Sequence, residues 1–362
     1  MEKYSNAPVL SICIPTYNRK VLLKEILDEL LLYPNNDIEI IIIDNASTDG
    51  TRELLDSYSD PRLQVKFNRK NIGMFGNQVL AVFSGTGKYT LSLMDRDKLD
   101  SGRLIDITKR LHQLDAPLIL LDYEGKKEFS VYGGIALSTV ILRTHPSYLI
   151  YNTKSLHKTV GINELYKTIS NDIQTPYPYT GVIGMYLLAE CSRIAVLPNK
   201  NAITLEIKKV PSYSQYGFKH KTIYYEPEGA IKRYKKYIDI LKKKYSPKAY
   251  KKYMPYIYTA EFFRGVLLHY GNSHDRYRAK KYNVKKKEIG DYNLFYLKLL
   301  KQSVNFMIIH KCFSIRNLII INVISWCILC KVYFKEKPYL KCGQIVKISD
   351  KILSKWIYTI YG

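Results

Sequence analysis

Asp95 and Asp97 follow directly on the apolar run Leu91-Ser92-Leu93-Met94. At the end of a strand, a spacing of two puts both side chains on one side of the chain. Two carboxylates there, with few competing charges, suit a hard divalent cation, Mn2+ or Mg2+, that keeps some waters and takes further ligands from a diphosphate. Such a cation acts as a Lewis acid towards a departing phosphate. The plainer reading is an acidic N-cap for a helix over 100–111. Three other polar stretches have the same character: Pro15-Thr16-Tyr17-Asn18-Arg19, Asp44-Asn45-Ala46-Ser47-Thr48-Asp49-Gly50-Thr51, and Asn68-Arg69-Lys70-Asn71-Ile72-Gly73.

Each of these stretches follows a short apolar, β-branched run, which reads as a buried strand over 9–14, 38–43, 63–67 and 89–94. Between them, apolar residues at helical spacing predict helices over 20–32, 51–58 and 73–84. Strands and helices alternating at this pace argue for an α/β, doubly wound sheet, in which ligands bind at the carboxyl ends of the strands. The four polar loops are therefore where chemistry belongs. Neither GxGxxG nor GxxxxGK[ST] occurs, so a nucleotide would be held here without a glycine-rich phosphate cradle.

Taken together, the four loops resemble the family-2 glycosyltransferases, nucleotide-sugar-dependent enzymes with a GT-A fold. The matching stretches are 11–19, 43–51, Asn71-Ile72-Gly73 with Asn77, and Gly87-Lys88-Tyr89 running into Asp95-Arg96-Asp97. The resemblance covers about residues 8–110, fades beyond 120 and is lost past 205. It implies a mixed, Rossmann-like sheet in a domain over 1–205, with a nucleotide-binding half at 8–110 and an acceptor half at 111–205. A basic, mainly helical region would follow over 206–362. It also implies that Pro15, Thr16, Tyr17 and Asn18 line the base and ribose, and that Asp44 accepts a hydrogen bond from the base with Asn45 and Ser47 nearby. Asn71 falls in the same binding set. Asp95 would face the ribose or the metal hydration shell, and Asp97 would ligate the metal, Mn2+ or Mg2+. Arg69 and Arg96 would add charge against phosphate. UDP-sugars are the favoured donors. Inverting members carry an acid that deprotonates the acceptor hydroxyl, yet 179–181, where spacing would place it, has none. Asp172 is the first candidate and Glu190 the second, with Glu164 and His145 as further alternatives.

The chain's net charge of +24 is unevenly placed. Up to residue 120 there are 15 Lys+Arg against 16 Asp+Glu, and beyond it 41 against 16. Lysines and tyrosines interleave over 234–253, on a pattern that predicts an amphipathic helix from about 231 to 245. That half suits an anionic membrane surface, Tyr at the headgroups and Lys towards anionic lipid; nucleic acid ranks last among the anionic partners. The most apolar stretch, 318–330, falls short of the ~20 residues needed to span a bilayer. No apolar leader opens the chain and the six cysteines form no disulfide or metal framework. The expectation is a cytoplasmic, non-processive enzyme peripherally attached to the inner face of the cell membrane, partly through 306–362. It would add a sugar to a glycan, polyol-phosphate or lipid-linked acceptor of a surface polysaccharide. The alternative is a non-catalytic membrane- or polyanion-binding protein with a degenerate transferase domain.

Overall fold

The computed structural model describes residues 7–122, 128–142, 145–169, 178–191, 193–204, 227–250, 252–254, 257 and five positions between 301 and 315. Asp172, Cys327, Cys330 and the apolar stretch 318–330 lie outside the described residues. The chain divides into two compact units. The first comprises Met1–Tyr132, Arg143–Ser170 and Pro176–Lys208, and the second Gly133–Leu142, Asn171–Thr175 and Lys209–Gly362.

The first unit opens with β1 (Leu10–Thr16), α1 (Lys20–Leu31), β2 (Ile38–Asp44), α2 (Thr51–Asp56), β3 (Leu63–Phe67), α3 (Met74–Val82) and β4 (Tyr89–Ser92). Next come β5 (Lys98–Leu99), α4 (Ser101–Gln113), β6 (Leu118–Asp122) and β7 (Phe129–Tyr132). In the second unit, α5 (Gly133–Leu142) interrupts before the first resumes with a 3₁₀ turn Pro146–Tyr148, β8 (Leu149–Asn152), α6 (Thr153–Thr159) and α7 (Ile162–Ile169). It closes with α8 (Pro178–Glu190), β9 (Arg193–Pro198) and β10 (Ile203–Thr204). Eight strands form one mixed sheet in the order β3-β2-β1-β4-β8-β6-β9-β7, and β10 pairs with β5 apart from it. The sheet and its helices are the α/β, GT-A type of architecture that the loops imply.

Hydrophobic burial drives this arrangement. β1, β2 and β4 are buried along their whole lengths, as strands covered on both faces must be. α1 turns Leu23, Ile26, Leu27 and Leu30 inward at helical spacing. Its last carbonyls are met by Arg62, which donates to Leu31 O, Tyr33 O and Asn35 O while Asp60 holds its guanidinium. β1, β2 and β4 run parallel with Thr16 beside Asp44 and Cys13 beside Ser92, which aligns three loops along one edge of the sheet. β8 is antiparallel to both β4 and β6, so the segment just before β8 arrives at that same edge.

At the opposite edge, Glu39 on β2 is a buried carboxylate. It accepts from Ser11 Oγ (2.5 Å), Thr86 N (2.7 Å), Thr86 Oγ1 (2.8 Å) and Gly87 N (3.1 Å). Gly87 must be glycine here, since a Cβ would lie 2.7 Å from Pro8 O. Burial alone would raise the Glu39 pKa, but these donors together hold it below the ordinary value of 4.5.

The second unit includes α5 and α9 (Pro227–Lys244). α9 buries Tyr237, Ile238 and Leu241 and exposes Lys235, Lys242 and Lys243, the amphipathic, basic helix the pattern predicts. Past α9, Tyr245 meets Tyr253 edge to face, with ring centroids 5.5 Å apart. Among the described residues no helix is long and apolar enough to cross a membrane.

Because the folded pKa of Glu39 is depressed, its stabilising effect is complete above the unfolded value of about 4.5. That effect is lost as pH falls through the folded value. Glu39→Gln should lower stability at pH 7 by about 2 kcal/mol, and the deficit should shrink below pH 4.5, as measured by urea unfolding.

Candidate active site

The active-site edge is built at the C-terminal ends of β1, β2 and β4. Asp44, the last residue of β2, is buried. Its Oδ2 accepts from Ser47 N at 3.0 Å, whereas Oδ1 is buried and meets no donor among the described residues. Ser47 Oγ accepts from Asn18 N at 2.8 Å, and Thr48 N donates to Asn18 Oδ1 at 2.8 Å, so the loops after β1 and β2 are laced together. This lacing needs left-handed backbone at Asn18 (φ 50) and Ala46 (φ 62).

Asn45 and Asn71, expected to meet the nucleotide, hold one another. Asn45 Nδ2 donates to Asn71 Oδ1 at 2.8 Å, and Asn45 Oδ1 accepts from Asn68 Nδ2 and Ile72 N at 3.0 Å each. Asn68 also donates to Asn77 Oδ1, and Asn77 Nδ2 donates to Ile43 O and Thr16 O. A chain of amides thus fixes the third loop against the ends of β1 and β2.

Pro15, expected to line the base and ribose, sits near the end of β1. It is buried within β1, paired with Ile43 and beyond the last β1–β4 pair, Cys13 with Ser92. Tyr17, by contrast, is 42% exposed at the mouth of the edge. Arg69 is exposed on the third loop, and Arg96 is half-buried between the two aspartates.

Asp95 and Asp97 do not belong to a strand. β4 ends at Ser92, and a turn over 94–97, closed by Asp97 N donating to Met94 O at 3.0 Å, presents the two carboxylates. Nor do they cap the following helix: Asp100 does, accepting from Arg103 N at 2.9 Å. Strand alternation therefore does not orient the pair, and they diverge. Asp95 accepts from Arg19 Nη1 at 2.7 Å and from Thr16 Oγ1 at 3.0 Å. Burial pushes its pKa up, while the Arg19 charge and the Thr16 hydrogen bond oppose that rise. Each Asp95 oxygen is thus engaged by one protein donor.

Asp97 turns the other way. Ser147 Oγ donates to Asp97 Oδ2 at 2.5 Å, and His145 Nδ1 lies 3.7 Å from the same oxygen. Burial, aided by the charge of Arg96, lowers the His145 pKa to about 3, so the imidazole stays neutral. A buried carboxylate is a hard oxygen donor that suits Mn2+ or Mg2+ completed by waters and phosphate oxygens, and the neutral imidazole beside it adds no competing positive charge. Among the described residues no three His, Cys, Asp or Glu side chains form a metal cage.

Asp172 lies outside the described residues. Glu190 is exposed at the last residue of α8, just ahead of the N-terminal end of β9. β9 is parallel to β6, β6 antiparallel to β8, and β8 antiparallel to β4. Glu190 therefore stands at the edge opposite Asp95 and Asp97, and is not the base. Glu164 accepts from Tyr186 OH at 3.2 Å, linking α7 to α8. His145 joins the site beside Asp97, with Nδ1 3.7 Å from Asp97 Oδ2. Ser147 has no counterpart in the sequence reading; the one available sign was the Pro146-bounded turn leading into an apolar strand.

A mixed sheet carrying a turn-borne Asp-x-Asp pair and a buried aspartate at the end of β2 is a GT-A type of architecture. Residues 11–119 match the family model for glycosyl transferase family 2, and the chain carries a family-2 glycosyltransferase domain with the GT-A fold. It is 42% identical over 87 residues to the abequosyltransferase RfbV of Salmonella typhimurium, covering 22% of this chain and 26% of that protein. It is 31% identical over 134 residues to the GalNAc(5)-diNAcBac-PP-undecaprenol beta-1,3-glucosyltransferase of Campylobacter jejuni, covering 35% and 43% respectively. The matches thus span less than half the length of these curated relatives. In fold, it is similar to TarS of S. aureus in complex with UDP-GlcNAc, with a TM-score of 0.54, 18% identity, and 82% of this chain and 80% of that chain covered.

Asn45→Ala removes two donor–acceptor partners from the amide chain. It should cost about 2 kcal/mol of stability, and hydrogen exchange should show faster amide exchange confined to 68–73.

Proposed function

We propose that this chain is a metal-dependent, inverting, non-processive glycosyltransferase that uses a nucleoside-diphosphate sugar, with UDP-sugars favoured. The observation that carries the reading is the contrast along one sheet edge: a buried Asp44 oxygen without a donor among the described residues, and an Asp97 bound by Ser147 beside an Asp95 bound by Arg19. Asp44 Oδ1 accepts the imide N–H of a uracil, and Tyr17 and Asn18 flank the base. Asp95, held in place by Arg19 and Thr16, faces the ribose. Asp97, with His145 adjacent, holds the cation, and Arg69 and Arg96 place positive charge near the diphosphate. The cation supplies charge neutralisation for the departing diphosphate.

Asp172 is the base in this reading. Its carboxylate takes the proton from the acceptor hydroxyl, the oxygen forms its bond to the anomeric carbon, and the bond to the diphosphate oxygen breaks with inversion. The acceptor is a glycan, a polyol-phosphate or a lipid-linked saccharide of a surface polysaccharide. The polyprenol-linked substrate named for the Campylobacter relative supports this class. The basic face of α9, with Lys235, Lys242 and Lys243 exposed, supports attachment to anionic lipid at the inner face of the membrane.

The test is nucleoside diphosphate release from a panel of donor sugars, with acceptor saccharides, in Mn2+ and in EDTA. One UDP-sugar should turn over only with metal, and Asp97→Ala should lower that rate by about a hundredfold or more. Asp172→Asn should lower kcat with donor affinity unchanged. Turnover undiminished in EDTA would overturn the metal dependence, and an unaltered kcat for Asp172→Asn would remove the base.

A further inference from the structure

Ser147 occupies an unusual position for a serine that precedes a strand. It is fully buried and touches both ends of the Asp95–Asp97 turn. Met94 N donates to Ser147 Oγ at 3.1 Å, and Ser147 Oγ stands 2.5 Å from Asp97 Oδ2. A backbone N–H can only donate, so the hydroxyl accepts from Met94, and its own proton is donated to Asp97 Oδ2. A hydroxyl donating to a carboxylate makes a charge-assisted hydrogen bond that holds the accepting oxygen in place. His145 Nδ1, at 3.7 Å, is too far to do this by hydrogen bonding.

The element that carries Ser147 is itself held firmly. Pro146 starts the 3₁₀ turn with a preset φ, Tyr148 N donates to His145 O, and Tyr148 is buried. The next residues pair on both sides, Leu149 with Leu120 of β6, and Ile150 with Leu91 of β4 and Ile119 of β6. On the other side of the bond, Leu93 N donates to Cys13 O, which ties the root of the turn to β1. Within the Asp95–Asp97 turn Asp97 N donates to Met94 O, and Ser147 bridges the same two residues from outside.

We infer that Ser147 is a positioning residue that presents the Asp97 carboxylate to a divalent cation, so that cation affinity depends on its hydroxyl. The inference rests on the metal-dependent reading of the site. Groups that hydrogen-bond a metal's ligands orient them, and their loss typically lowers metal affinity by about 10- to 100-fold. The effect should appear in cation binding before any chemistry takes place.

The test is titration of the full chain with Mn2+, in the presence and absence of UDP, followed by the paramagnetic signal of free Mn2+. Wild type should bind Mn2+ more tightly with UDP present. Ser147→Ala should weaken that binding by about 10- to 100-fold, while UDP affinity in metal-free buffer stays within about threefold of wild type. Ser147→Thr, which keeps the hydroxyl, should restore most of the Mn2+ affinity. If Ser147→Ala does not fold, Ser147→Cys keeps the side-chain size with a much weaker donor, and should show the same direction of loss. Unchanged Mn2+ affinity in a folded Ala or Cys variant overturns the inference alone. An equal loss of metal-free UDP affinity also overturns it, by making the role general to the fold. A wild-type chain that takes up no Mn2+ with UDP overturns the metal-dependent reading, and the inference with it.

Discussion

Placing three carboxylates in the buried edge of one sheet is costly, because each must be compensated locally or lose its charge. Asp44, Asp95 and Asp97 all meet that demand with a different neighbour. Asp44 takes the Ser47 backbone N–H and keeps one oxygen in reserve. Asp95 takes Arg19 and Thr16, and Asp97 takes the Ser147 hydroxyl. These partners come from the loop after β1, the loop after β2 and the turn before β8, so the chain has to bring all three segments to one place. The parallel register of β1, β2 and β4 supplies the first two, and the antiparallel β8 supplies the third. Partners of different kinds also assign different tasks. A carboxylate held by a guanidinium and a hydroxyl has its charge balanced within the protein, whereas the Ser147 hydroxyl beside a neutral imidazole supplies Asp97 with no full positive charge.

The opposite edge of the same sheet shows how such carboxylates behave when no ligand is in view. Glu39 is as buried as Asp44, but every oxygen faces donors from Ser11, Thr86, Gly87 or Gln64. It acts as a staple between β1, β2 and the approach to β4. The contrast between a fully satisfied Glu39 and an Asp44 that keeps one oxygen without a donor among the described residues separates support from recognition within one strand.

The parallel half of the sheet was legible in the sequence because strand and loop are adjacent there. An apolar β-branched run, a turn and a polar loop occur in one reading frame, and 63–67 is a strand at those bounds while 38–43 extends by one residue to Asp44. What lay beyond was set by pairing direction, which local pattern does not encode. His145 and Ser147 stand some fifty residues from Asp97 and reach it only because β8 runs against β4. Glu190 fails as a base for the same reason, since β9 starts at the far edge. The amide chain of Asn45, Asn68, Asn71 and Asn77 was visible as residues but not as a network; loop asparagines read equally well as ligands or as clamps. The Asp95–Asp97 pair was found for a reason that did not hold, strand alternation, because the strand stops at Ser92 and a turn does the presenting.

The account stands on Asp44 and Asp97 acting on opposite ends of one bound nucleotide. A crystal of the chain grown with UDP and Mn2+, with diffraction recorded at a wavelength where manganese scatters anomalously, measures this directly. The account predicts an anomalous peak within bonding distance of Asp97 and bridging to the diphosphate, with the uracil against Asp44 Oδ1. A manganese peak remote from Asp97, or a uracil bound away from Asp44, would contradict it.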